Sequence, residues 1–121
     1  MVVITEDFVS FETAKLLKEK GFNEPCVYVY CHDSSEDIWD ADKEDIACQK
    51  PTLQMTMKWL REKHNLFIQI TVDFSDGAYP MYDACVVDLA RCTSIIVIGY
   101  DRYYYTQACE TSIKYCLKNL I

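Results

Sequence analysis

The segment Tyr100-Asp101-Arg102-Tyr103-Tyr104-Tyr105 gathers phenol rings, a carboxylate and a guanidinium into one short stretch. Phenol rings bring large, rigid contact area, a guanidinium adds a charged hydrogen bond, and both residue types are enriched where proteins bind one another. Tyr100, Arg102, Tyr103, Tyr104 and Tyr105 are therefore the candidate partner-binding residues. The competing reading is a strand-to-helix junction whose rings pack at the edge of the core. If strand geometry continues, Tyr103 and Tyr104 point in opposite directions and at least one of them is exposed. Stacking on nucleic-acid bases would use the same rings. It would also need a basic surround, and the chain has a net charge of −7.

Other reactive side chains form weaker patterns. Residues 33–44 place Asp33, Ser35, Asp37 and Glu44 at calcium-loop positions 1, 3, 5 and 12. Ile38 stands where such a loop needs glycine and Asp40 where it needs an apolar residue, so the stretch reads as a plain acidic loop. His32 follows Cys31, but neighbours on a strand face opposite ways, which makes a poor chelate or dyad. His64 reads as a helix-terminal residue whose imidazolium meets the negative end of the dipole. A nucleophile pair of His64 with a cysteine has no supporting signature. The cysteines number 7, with no Cys-x-x-Cys spacing and no secretion signal, so they read as reduced thiols buried as small hydrophobes. No cofactor, metal or catalytic set is read from the sequence, which weighs against an enzyme.

These residues need elements to hold them. Ser10 caps a helix over 11–20 whose stripe is Phe11, Ala14 and Leu17; Gly21 ends it, with Phe22 folding back on Leu17. Residues 26–31, β-branched or aromatic between two cysteines, read as a strand. Residues 33–47 are acidic and read as an exposed loop, dispensable for folding, with a short strand or turn near Ile38-Trp39. Thr52 caps a second helix over 53–64, closing at His64-Asn65. Residues 66–74 alternate, with Leu66, Ile68, Ile70, Val72 and Phe74 on one face. Asp76-Gly77 signals a hairpin turn. Further strands are expected within 79–89 and over 94–100; Ile95-Ile96-Val97-Ile98 has no polar face, which places it centrally in the sheet. A last helix spans 105–120, with Cys109, Ile113, Cys116, Leu117 and Leu120 on one side. The order α-β-α-β-β-β-α predicts a single α+β domain over 1–121. It would be a two-layer sandwich with a mostly antiparallel sheet of about four strands and three helices.

Three segments carry a resemblance. They are Ile4 to Phe22, then Thr52-Leu53-Gln54-Met55 with Lys58-Trp59-Leu60-Arg61-Glu62 and His64-Asn65, and finally Ala108-Cys109-Glu110 with Ile113 to Leu117 and Asn119-Leu120. On these, covering about half of its length, the chain resembles short hypothetical proteins of gut anaerobic bacteria of Bacteroides type and of their phages and mobile elements. That group has no established activity, so no residue role is carried over. The resemblance implies a bacterial or prophage accessory protein in the cytoplasm. One departure stands at Tyr104, where the family pattern places a capping Ser or Thr.

The excess of acid disfavours phosphate backbones and anionic membranes. Neither nucleic acid nor membrane is expected as a partner, and no run is apolar and long enough to span a bilayer. The leading expectation is a small non-enzymatic accessory protein that binds a host protein. The alternatives are an enzyme or small-molecule binder with an unrecognised pocket, and an acidic mimic of nucleic acid. Oligomeric state is not legible.

Overall fold

In a computed structural model of the chain, the residues described are 3–32, 36–38 (backbone only) and 46–121. Helix α1 (Phe11–Glu19) begins where the Thr13 N–H donates to the Ser10 hydroxyl oxygen. It closes as its sequence predicts: Phe22 N–H donates to Leu17 O, Gly21 N–H donates to Lys18 O, and Gly21 takes φ 96°. Helix α2 (Leu53–His64) is capped by Thr52 and ends on Asn65 in the left-handed region. Helix α3 (Tyr105–Tyr115) widens into a π-helical turn over Cys116–Leu120. Tyr104 occupies its N-cap with extended backbone and no side-chain cap bond. Among the described residues no helix is long and apolar enough to cross a membrane.

The class is α+β, and every strand pairing is antiparallel. The strands divide between two three-stranded sheets, where the sequence predicts one sheet of about four. The first sheet has the order β2-β1-β3, from β1 (Tyr28–Cys31), β2 (Glu36–Ile38) and β3 (Ile46–Lys50). Strand β3 has no counterpart in the sequence reading. Its Cys48 and Lys50 are buried, and a buried lysine disguises an inward face as a polar one. Residues 33–35 and 39–45, which hold most of the expected acidic loop, lie outside the described residues.

The second sheet is a meander, β4 (Leu66–Asp73), β5 (Met81–Asp88) and β6 (Thr93–Val97), in sheet order β4-β5-β6. Helices α2 and α3 pack on one face of it. Leu66 and Ile68 of β4, Ala84 and Val86 of β5, and Val97 of β6 meet Leu60, Ala108, Cys109, Ile113 and Leu117 there. Helix α1 lies on β3, and one contiguous core runs through both sheets and all three helices.

The placement of Ile95 to Ile98 corrects the sequence reading. These residues form the edge strand and its exit, not a central strand. Only Val97 is buried, and Ile96 and Ile98 stand 75% and 82% exposed. A meander without a crossover keeps sequence order in space, so its last strand is an edge whatever its composition. Likewise β4 outruns the core: Val72 and Phe74 share the inward parity of Leu66 but are exposed.

Candidate functional site

The tyrosine segment sits where β6 leaves the sheet and α3 begins. Gly99 turns the chain at φ 91°, after which residues 100–104 run back along the start of β5. Tyr82 N–H donates to Arg102 O at 2.7 Å. Between that bond and the Val97–Ala84 pairing the ladder has a gap, and the Tyr100 hydroxyl fills it. It accepts from Ala84 N–H at 2.8 Å and donates to Tyr82 O at 3.1 Å. Burial pushes the Tyr100 phenol above its usual range.

Arg102 is committed as well. Its Nε donates to Asp83 Oδ1 at 2.8 Å, and its guanidinium reaches Asp73 Oδ2 at 3.2 Å. Thr71 pairs with Asp83 and Asp73 with Met81, so one arginine ties the ends of β4 and β5 to the junction. The hydrogen bond to Asp83, then the charges of Asp83 and Asp73, hold Arg102 in its charged form.

The other three rings face outward. Tyr103 is 49% and Tyr104 60% exposed, and Tyr105 is exposed at its margin while its hydroxyl accepts from Gln54 Nε2 at 2.9 Å. The rings are therefore divided: Tyr100 packs against the core at the strand-to-helix junction, while Tyr103 and Tyr104 stand in solvent. The hairpin 74–80 adds Tyr79, 69% exposed, whose ring meets Tyr103 edge to face at 6.4 Å and 89°. Tyr82 meets Tyr105 in the same way at 5.7 Å. Together Tyr79, Pro80, Tyr82, Asp101, Tyr103 and Tyr104 line an open cleft of about 600 Å³. Tyr103 is held by its N–H, which donates to Asp101 Oδ1, and by its hydroxyl, which donates to Asp76 Oδ2, each at 3.1 Å. The bond to Asp76 is the first cause that raises the Tyr103 phenol above its ordinary value.

Sequence reasoning thus found one wall of the cleft and missed the other. Tyr79 and Tyr82 lie a hairpin away, and the only local signal was Asp76-Gly77, which brings that hairpin round. It also missed two polar assemblies. Glu110 of α3 receives Ser10 N–H at 3.0 Å, the Ser10 hydroxyl at 2.6 Å and the Thr13 hydroxyl, so it serves the N-terminus of α1 from another helix. Lys50, 7% exposed, carries its ammonium 4.7, 5.3 and 5.8 Å from the rings of Phe8, Tyr30 and Tyr28.

The remaining candidates are not drawn together. Cys31 is buried and the adjacent His32 exposed, while His64 rests against Trp59 at 4.7 Å. Asp37 belongs to β2, and Asp33, Ser35 and Glu44 lie outside the described residues. Among the described residues no disulfide forms and no group of three or more His, Cys, Asp or Glu is placed to hold a metal ion. No known family, curated protein or solved structure matches the chain.

Proposed function

We propose that this chain is a small non-enzymatic interaction protein, a bacterial or prophage accessory factor of the cytoplasm. It would bind a host protein through the tyrosine cleft. The observation that carries this reading is the exposure of Tyr79, Tyr103 and Tyr104 around one cleft. Large amphipathic rings left in water are costly to keep unless they meet something, and rigid tyrosines lose little entropy when they do. Tyr100 and Arg102 support the site from behind instead of touching the partner, since their polar groups are already spent on the sheet.

The test is capture from host lysate by the immobilised protein, compared with Tyr103→Ala and Tyr104→Ala. Each variant should lose most of one specific captured protein, by about tenfold if the rings act as hot spots, while keeping the wild-type circular dichroism. Equal capture by both variants overturns the reading.

A further inference from the structure

The electrostatics of the cleft say what it would hold, on the assumption that it is the binding site. Its lining residues supply ring faces and the Asp101 carboxylate, and none of them is lysine or arginine. Asp76 accepts a hydrogen bond from the Tyr103 hydroxyl. A phenol that donates to a carboxylate has a more electron-rich ring, and an electron-rich ring attracts cations more strongly. Between Lys63 and Lys114 the chain carries only Arg91 and Arg102 as lysine or arginine, against Asp73, Asp76, Asp83, Asp88, Asp101 and Glu110. Arg102 is held by Asp73 and Asp83, and Arg91 pairs with Asp88 at 3.8 Å. Among the described residues, neither of these arginines lines the cleft. Elsewhere the same chain shows how it treats a cation beside rings: Lys50 nests among Phe8, Tyr28 and Tyr30, and Lys15 lies 5.0 Å from the Phe11 ring centre.

We infer that the tyrosine cleft takes an arginine or lysine side chain from a basic peptide segment of the partner protein, set against the rings of Tyr79, Tyr103 and Tyr104 and paired with Asp101. The rings of Tyr79 and Tyr103 stand perpendicular, and it is a ring face, the negative side of the quadrupole, that a planar guanidinium stacks on. A peptide is favoured over a free cation by what lies next to the cleft. Strand β6 ends at the loop that carries Asp101, and its outer edge pairs with no described strand. Its backbone groups are open to a chain laid alongside. The net charge of −7 draws such a segment in from a distance.

The probe is a short glycine peptide bearing three arginines, titrated against the whole protein and followed by two-dimensional amide NMR. The control is the same peptide with citrulline, which keeps the shape and loses the charge. The arginine peptide should shift the amides of Tyr79, Asp101, Tyr103 and Tyr104 in a saturable way, and the citrulline peptide should not. Tyr103→Leu and Tyr104→Leu keep apolar bulk but remove the ring face. Each should weaken binding about threefold to tenfold, as loss of one cation–π contact predicts, with the rest of the spectrum unchanged. If the shifts spread over acidic residues remote from the cleft, or survive both leucine variants, the inference is overturned. If both peptides bind alike, or neither binds while lysate capture still depends on Tyr103 and Tyr104, the partner is not recognised by a cation and the interaction reading stands. If capture fails as well, both are lost.

Discussion

Tyr100 shows how a residue type that suggests binding can be spent on structure. Its hydroxyl completes a ladder that β6 abandons, and Ala84, one of its two partners, is buried. Tyr100→Phe removes the oxygen and leaves the Ala84 N–H without an acceptor. Stability should fall by about 1–3 kcal/mol, the usual penalty for a buried donor left unsatisfied, read as a lower denaturant midpoint with unchanged slope. Tyr103→Phe, at an exposed ring, should stay within about 0.5 kcal/mol of wild type. Equal costs for the two substitutions would mean that the Tyr100 hydroxyl carries no special structural role. The run of tyrosines was legible in the sequence, and so was its junction between strand and helix. What was not legible is which rings would be spent. That depends on Asp73, Asp83, Tyr79 and Tyr82, which reach the junction only through strand pairing. Glu110 was hidden for the same reason, since its hydrogen-bond partners Ser10 and Thr13 lie at the other end of the chain.

At the scale of elements, local chemistry carried the helices and long-range pairing carried the surprises. Ser10, Gly21, Thr52 and Asn65 fix helix ends through bonds to near neighbours, and those ends fall where the sequence puts them. The neighbours of a strand are set by the rest of the chain. An all-apolar run such as Ile95 to Ile98 fits a doubly covered strand or an uncovered edge equally well until its partners are known. Here it is an edge with uncharged, apolar residues, the kind that recruits other strands. Ile96→Lys places a charge on that edge at a site with no core contact to lose. Light scattering at rising concentration should show less association than wild type, with circular dichroism unchanged. More association, or loss of fold, would mean that Ile96 is covered in solution.

For the molecule as a whole, acid should act through specific carboxylates. Asp73 is held below the usual carboxylate range first by the backbone N–H of Ser75, then by the Ser75 side chain, with Arg102 adding to it. Glu12 of α1 is held low chiefly by its hydrogen bond to Lys114 of α3, then by the charges of Lys114 and Lys118. A carboxyl that titrates lower when folded binds fewer protons in the native state. Its contribution is complete above the unfolded value, about 4, and disappears as pH falls through the folded value. Thermal midpoints measured downward from about pH 5 should therefore decline, and Asp73→Asn should decline less steeply; parallel slopes would mean that Asp73 does not contribute to the acid sensitivity. The thiols lend the same body a different use. Cys92 stands exposed on the β5–β6 turn at φ 55°, whereas Cys48, Cys109 and Cys116 are sealed in the core. Burial pushes Cys116 up to about 12, and burial with the charge of Glu24 pushes Cys26 up to about 11. To an alkylating reagent the molecule is thus graded, with one position marked at once and the inner ones marked only as the structure opens, so that the order of labelling becomes a stopwatch for its breathing.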